Sequence, residues 1–456
     1  MSAEKTQNMT YHHALIFRDD VCIGCSHCTS VCPTGAIHIE TGHPILNPDR
    51  CIDCGMCYKA CPQSAIVIEQ DDFQTIYNYE CPVVLLPSTF FSQFPSKVTR
   101  VAIVSALRYL GFKYVHEVNE TVDILKELTL QRLDNDLIDK PVISAFCPAV
   151  VRLIQVKYPS LLPNLLLLKS PIDLTTSYVK KKLIDEGVDK DSIGIFYVTP
   201  CAAKIASVKN ASEGHDHADG IINMNYLFNK VYRIIKQKEC NIEADDAELA
   251  PLSKTAVTWA LTGGEISFIP KGRNLAIDEI HNVSDFLEKI ENDEIKNIDY
   301  LELRACDESC PGGILCVSNR FVTVDRQRMR ADHSPDVVES KDLEKYKDYL
   351  VEHSDIKEFA PQSMDKLDND IGEAMKKMRR AMVVNDSLPQ VDCRICGYQT
   401  CKMFAEAVVN DRADVNQCLF VRIDLERKNQ MTKEESLSIM KKVWGEKKMD
   451  ELGRTV

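Results

Sequence analysis

Two kinds of hydrophobic pattern divide this chain. AIHIE (36–40) and AIVIE (65–69) alternate across the two faces expected of short, half-buried strands. YECPVVLLPS (79–88) and VISAFCPAVV (142–151) are instead almost continuously apolar, as core strands are, and the second sets Cys147 between bulky Phe146 and Pro148. LFNKVYRIIKQKEC (227–240) has the spacing of an amphipathic helix. Further on, ESKDLEKYKDYLVEHSDIKEF (339–359) and DNDIGEAMKKMRRAMV (368–383) predict solvated helices that act as a connector. The tail 419–456 predicts a last charged helix, which either binds a partner or packs loosely on its own domain.

Length and charge narrow the picture. A chain of 456 residues holds about three domains of roughly 150 residues each. No apolar run reaches the ~18 residues of a membrane span, and no secretory leader is evident, so a cytoplasmic location is expected. A net charge of −13 opposes nonspecific binding to nucleic acid or anionic lipid. The 19 cysteines weigh most: in a reducing compartment they point to metal binding rather than to disulfides.

CIGCSHCTSVCPTGAIHIE (22–40) recurs as CIDCGMCYKACPQSAIVIE (51–69), an internal duplication with a shift of 29 positions. Each half is C-x-x-C-x-x-C-x-x-x-C-P. This run resembles that of two-cluster bacterial ferredoxins, in which three close thiolates hold one cluster and the fourth crosses to the other. Zinc modules use paired C-x-x-C units rather than a four-cysteine run ending in proline. The crossed pattern gives Cys22, Cys25, Cys28 and Cys61 to one 4Fe-4S cluster, and Cys51, Cys54, Cys57 and Cys32 to a second. The resemblance covers residues 14–75 and implies single-electron transfer.

Beyond residue 80 the cysteines scatter. Cys81 and Cys240 read as small buried hydrophobes. Cys147, Cys201, Cys306 and Cys310 share another setting: each ends an apolar strand-like run and enters a turn of proline, glycine or small residues. Thiolates from such distant loops can close one cluster in a dry interior. SAFCPAVVRLIQVKYPSLLPNLLLLKSP, YVTPCAAKI and ACDESCPGGILC, supported by LRYLGFKYVHEV and ALTGGE, look like the signature segments of the FeFe-hydrogenase catalytic domain, over residues 80–330. By that resemblance Cys147, Cys201, Cys306 and Cys310 hold a 4Fe-4S cluster. Cys310 also bridges to a di-iron unit carrying carbon monoxide, cyanide and a dithiolate, together the H-cluster. Lys204 matches the family lysine that donates to a cyanide. Gly263 and Gly264 match a glycine pair lying against the cluster, and Pro148 and Pro200 line it beside their cysteines.

In turnover members of that family a cysteine stands directly before the first ligand and relays protons. Here the position is Phe146, which has no exchangeable proton, and general acid–base help of that kind is worth ~100- to 10,000-fold. Thr199 stands where the family often has methionine, Ala145 replaces a small hydroxyl residue, and Cys316 is additional. The pattern is that of the sensory branch: dihydrogen oxidation or proton reduction at low turnover, with electrons passed to a redox or signalling partner such as ferredoxin. Maturation proteins would be needed, and homo-oligomerisation is compatible. The alternative is a hydrogenase-like iron–sulfur electron-transfer or assembly protein without the di-iron subsite.

DCRICGYQTCKMFAEAVVNDRADVNQC (392–418) brings three cysteines on a tight loop, a helix with Phe404, Ala405 and Val408 inward, and a returning cysteine. Cys393, Cys396, Cys401 and Cys418 suit a third 4Fe-4S cluster, with structural zinc as the plainer reading. The expected cofactors are three 4Fe-4S clusters plus the H-cluster. The fold expected is a mixed α+β and α/β multidomain chain: a two-cluster ferredoxin-like domain at 1–78, a two-lobed H-cluster domain at 79–335 dividing near 205, a charged connector at 336–385, a small helical 4Fe-4S domain at 386–420, and a helical tail at 421–456. GHDHADG (214–220) reads as a polar loop rather than a metal site through His215 and His217.

Overall fold

Both alternating stretches become strands. The repeat holds β1 (Leu15–Phe17), β2 (Ile37–Glu40), β3 (His43–Leu46) and β4 (Ile66–Ile68). β1 pairs antiparallel with β4, Leu15 opposite Ile68, and β2 pairs antiparallel with β3, Ile37 opposite Leu46. Ile37 and Ile39 face the core while Glu40 is exposed, as the period requires. The short helices His27–Ser30 and Met56–Ala60 start from equivalent left-handed turns, at Ser26 (φ 62°) and Gly55 (φ 75°).

The computed structural model describes residues 11–135, 138–210, 217–238, 249–362, 367–368 and 370–452. They form two units: one from Met1–Cys51, Gly55–Ile68 and Gln362–Val456, the other from Ile52–Cys54 and Glu69–Pro361. In the first unit the turn between β2 and β3 is bonded to the end of the helix Lys433–Trp444, Thr41 N–H to Lys442 O (3.0 Å) and Gly42 N–H to Val443 O (2.9 Å). Gly42 permits this approach: its φ is +83°, and a Cβ there would lie 2.7 Å from Trp444 O. The helix Ile371–Ser387 packs beside Cys401–Val409 and carries exposed Ile371, Met375, Met378 and Met382 at near-heptad spacing.

The second unit contains, in chain order, β5 (Cys81–Leu86), β6 (Tyr114–Glu117), β7 (Val142–Ile143), β8 (Ile193–Thr199), β9 (Gly220–Asn223), β10 (Asn274–Ile277) and β11 (Tyr300–Leu303). One sheet has the order β6-β5-β8-β9 and the other β10-β11-β7, and every pair in both is parallel. β5 and β8 are buried along their whole length, as parallel strands covered on both faces are, which explains the continuous apolar run at 81–86. The sheets interleave in sequence, with β7 lying between β6 and β8, so no single cut near residue 205 separates two lobes. Cys81 is a buried core residue of β5, as a small hydrophobe would be, whereas Cys240 lies outside the described residues.

The helix Lys341–Glu352, expected as solvated connector, buries one face. Tyr346 and Leu350 (0% exposed) join the hydrophobic core of this unit, with Tyr346 edge-on to Tyr178 at 5.8 Å. Among the described residues, no helix is long and apolar enough to cross a membrane.

Candidate functional site

Three of the four scattered cysteines are brought together, two in the loops that follow strands β7 and β8 and one in a turn beyond β11. β7 leads to Cys147, which is the N-cap of the helix Pro148–Lys157, with Pro148 in the first turn, where a missing N–H costs nothing. β8 leads to Cys201, the N-cap of Ala202–Lys209. Thr199, fully buried at the end of β8, accepts from Cys201 N–H (3.2 Å) and donates to Cys201 O (2.9 Å), which fixes that turn. Cys310 opens the short turn Cys310–Gly312, its N–H bonded to Ala260 O (3.2 Å). Pro200 O accepts from Leu315 N–H (3.0 Å), locking the second loop to the third. Cys306 sits in the same turn as Cys310, its carbonyl accepting from Ser309 N–H (2.9 Å).

Cys201 feels the charge of both Cys310 and Cys147. Burial, with Cys310 and Cys147 adding and Lys204 opposing, pushes the Cys201 thiol up to about 12. Thiols crowded in a dry setting resist ionising alone, and an iron centre that takes up thiolate charge removes the penalty, so the donor set fits an iron–sulfur group. Lys204 donates to Tyr197 OH (3.3 Å). Burial works against its ammonium, but Tyr197, Cys310 and Cys201 outweigh burial and hold it well above the usual lysine range. The cation therefore stays charged beside the sulfurs. Cys316 lies close by, with Sγ 3.4 Å from Cys310 O and 3.8 Å from Met224 Sδ.

Phe146 answers the puzzle of a bulky residue before a thiol. It is 5% exposed, its ring 5.5 Å from Trp259, which stacks at 5.5 Å on Phe268. Behind this aromatic layer lies a polar network that the sequence pattern did not reveal. Glu265 and Glu302, both 0% exposed, sit with buried Arg304, Tyr300 and Ser144. Glu265 accepts from Arg304, from Tyr300 OH (2.7 Å) and from Ser144 Oγ (3.1 Å), and Ser144 Oγ accepts from Phe146 N–H (3.4 Å). Glu302 accepts from the N–H groups of Gly263 (3.1 Å), Glu265 (2.9 Å) and Ile266 (3.2 Å), pinning the glycine loop. Burial and then Glu265 push the Glu302 carboxyl up to about 7, against the pull of Arg304 and those N–H groups.

The glycine pair has two distinct reasons. Gly263 adopts φ +84°, and a Cβ there would meet no protein atom within 4 Å; a Cβ on Gly264 would lie 2.3 Å from Thr258 O and 2.8 Å from Trp259 O. The collision at Gly264 is thus with the protein's own backbone.

In the other unit, Cys22, Cys25, Cys28 and Cys61 line one small cavity with Ile23, Ile39 and Ile66. Burial, then Cys25 and Cys22, pushes the Cys28 thiol up to about 12. Gly24 N–H points at Cys22 Sγ (3.5 Å) and Ala65 N–H at Cys61 Sγ (3.2 Å), donors suited to thiolate sulfur. Cys32 Sγ receives Ala36 N–H (3.1 Å), matching Cys61 in the other half, while Cys51 and Cys57 are buried; Cys54, partly buried, belongs to the short stretch grouped with the second unit. Cys393, Cys396, Cys401 and Cys418 line a second cavity with Leu388, Tyr398, Phe404 and Leu419. Phe404 lines it and packs with Ala405, Leu388 and Cys418 in a small core, with Val408 against them. His217 sits 3.5 Å from Asp173, an ion-pair geometry, and His215 lies outside the described residues.

These arrangements define an iron–sulfur redox protein: two four-cysteine cavities in one unit and converging cysteines with a charged lysine in the other. Comparison narrows the class. Residues 83–274 match the family described as iron only hydrogenase large subunit, C-terminal domain; residues 21–66 match a 4Fe-4S dicluster domain, and 388–420 a putative Fe-S cluster. Together they make the chain similar to iron-only hydrogenases over its middle part and to iron–sulfur cluster domains towards either end. The chain is similar to the NADP-reducing hydrogenase subunit HndD of Solidesulfovibrio fructosivorans, 23% identical over 62% of this chain and 46% of that one. It is also similar to iron hydrogenase 1 of Clostridium pasteurianum, 27% identical over 44% of this chain and 34% of that one. The chain thus spans less than half the length of either relative. Among solved structures, an FeFe-hydrogenase from a study of oxygen inactivation gives a TM-score of 0.48 at 15% identity, covering 62% of this chain and 95% of that one. A variant of the FeFe-hydrogenase HydA1 from Chlamydomonas reinhardtii gives 0.47 at 16% identity, with the same coverage.

Proposed function

We propose that this chain is an FeFe-hydrogenase of sensory type that turns over dihydrogen slowly and passes electrons through 4Fe-4S clusters to a redox or signalling partner. The observation that carries the reading is the approach of Cys147 and Cys310, from separate loops, to Cys201, with Lys204 beside Cys201 and Cys310. Cys147, Cys201, Cys306 and Cys310 would hold the six-iron group, which when bound supplies the chemistry of splitting or forming dihydrogen. Lys204 stays protonated and offers its N–H groups to an anionic ligand in a dry setting, where such a bond is strong. Gly263 and Gly264 keep the loop close, and Pro148 and Pro200 shape the turns that present their cysteines. Phe146 fills the position from which a proton would be handed on. Its ring, backed by Trp259, keeps water out and carries no exchangeable proton.

Infrared spectroscopy on protein co-produced with hydrogenase maturation proteins tests the cofactor, because iron-bound carbon monoxide and cyanide absorb where protein does not. Bands from both are expected. A fully matured sample without them leaves the four-iron carrier or assembly reading instead. Phe146→Cys tests the slow turnover: a gain on the order of 100-fold in dihydrogen oxidation follows if a missing relay limits the rate. An unchanged rate in a variant with intact infrared bands would show that the limit lies elsewhere.

A further inference from the structure

The carboxyl-terminal cysteine module belongs to the same unit as the amino-terminal repeat and lies against one half of it. Gln399 Nε2 donates to the backbone carbonyl of Cys32 (3.0 Å). Tyr398, which lines the carboxyl-terminal cavity, stacks on His38 at 5.0 Å and 6°. Ile39 N–H bonds Gly397 O (2.9 Å), and Met403 occupies the space beside Gly35, where a Cβ would lie 2.1 Å from its Cε. A partly buried ion pair, Arg50 to Glu406 at 2.9 Å, closes the contact. These contacts gather around Cys32, and one hydrogen bond followed by the short backbone step from Gln399 to Cys401 connects Cys32 to the other cavity.

Beside that cavity sits a cation without an anion. Arg422 is 1% exposed and donates to Ser436 O (2.8 Å) and Met440 Sδ (2.7 Å), both neutral; its Nε has no partner. Among the described residues, no carboxylate lies within ion-pair distance of it. The charge that bears on it most is the Cys418 sulfur, one turn earlier on the same helix, ahead of Glu426. A buried, unpaired guanidinium is costly, and a negatively charged cluster held by Cys418 supplies the missing counter-charge. Reduction adds one more negative charge, so the same cation favours the reduced cluster and raises its potential.

We propose that the carboxyl-terminal cluster takes electrons directly from the cluster that Cys32 ligates, and that Arg422 makes it the place where they collect. The step moves one electron: the Cys32 cluster is oxidised, the carboxyl-terminal cluster is reduced, and no proton or ligand moves. The proposal rests on reading Cys393, Cys396, Cys401 and Cys418 as a four-iron site, and it does not depend on the di-iron unit.

The test uses the full chain produced without maturation proteins and reconstituted with iron and sulfide, so its outcome is separate from that of the infrared experiment. In the fully reduced protein, electron paramagnetic resonance is expected to show spin–spin splitting beyond that of the two amino-terminal clusters with each other, and this added splitting disappears in Cys401→Ala, together with the loss of about four irons per chain. The cluster lost in Cys401→Ala identifies the carboxyl-terminal component of a redox titration. Poised at its wild-type midpoint, Arg422→Met lowers the reduced-to-oxidised ratio of that component at least tenfold, about 59 mV for a one-electron couple, while the other clusters keep theirs. Arg422→Gln, which keeps a donor toward Ser436, gives the same fall, and Arg422→Lys restores most of the ratio. A splitting in the wild type no different from that of Cys401→Ala, an unchanged iron content in Cys401→Ala, or an unmoved ratio in either neutral variant with full iron load would overturn the proposal.

Discussion

Replacing Arg304 with methionine gives the most direct test of the network behind Phe146. The substitution leaves Glu265 and Glu302, both fully buried, with Tyr300, Ser144 and backbone N–H groups but no cation. Removing one partner of a buried pair costs ~3–5 kcal/mol, because the remaining charge is stranded. The loss should also depend on pH, and the sign follows from Glu302. Its folded carboxyl is raised from 4.5 to about 7, so the folded protein holds a proton that the unfolded chain releases. Stability therefore falls as pH rises from 4.5 towards 7 and levels off above that in the wild type. Without Arg304 the carboxyl is raised further, so the fall continues through pH 8 at roughly 1 kcal/mol per pH unit. The destabilisation of Arg304→Met should thus be about 1 kcal/mol larger at pH 8 than at pH 6. The chain has 2 tryptophans, so in a Trp444→Phe background the fluorescence of Trp259 reports this core during urea unfolding. Adding Glu265→Gln should recover part of the loss, since it removes one stranded charge. A loss below about 1 kcal/mol at pH 8, or one independent of pH, would refute the argument.

Two other predictions use the same readout. Gly264→Ala should cost about 1–3 kcal/mol, towards the upper end, because the new Cβ meets the carbonyls of Thr258 at 2.3 Å and Trp259 at 2.8 Å, which cannot rotate away as a side chain can. Glu117→Gln should cost about 1.5–3 kcal/mol: Glu117 is 1% exposed and accepts charge-assisted hydrogen bonds from Arg100 (2.9 Å) and Arg330 (2.6 Å), which a neutral amide cannot match. An unfolding midpoint within error of the wild type would reject either one.

The parts of the molecule legible from sequence are those whose geometry is local. In the repeat, the spacing of Cys22, Cys25 and Cys28 sets which thiols can share a cavity, and the structure lines one cavity with those three and Cys61. The carboxyl-terminal set follows the same logic, with Phe404 and Ala405 inward as the helix period requires. Cys147, Cys201 and Cys310 carry no such spacing. Their meeting depends on which strands pair, and β7 and β8 belong to different sheets, a non-local fact that only the resemblance to a known family made visible.

Charge misled where burial had to be read from its absence. The helix Lys341–Glu352 is so rich in charge that it reads as solvated, yet two positions four apart, Tyr346 and Leu350, bury its one apolar face. The reverse error hid Glu302. In YLEL (300–303) a glutamate sits between two leucines, and alternation alone would turn it to solvent. β11 is the middle strand of its sheet, and all four of its residues are buried, so both faces are covered and the alternation carries no information about exposure. A carboxylate on such a strand must find donors, and Gly263, Glu265 and Ile266 provide them. The clue in the sequence was therefore an acid in a strand, followed two residues later by Arg304 and, after one more residue, by a cysteine. That pattern costs energy unless the acid holds the loop that shapes the site, and the hydrogen bonds to the glycine loop are that hold.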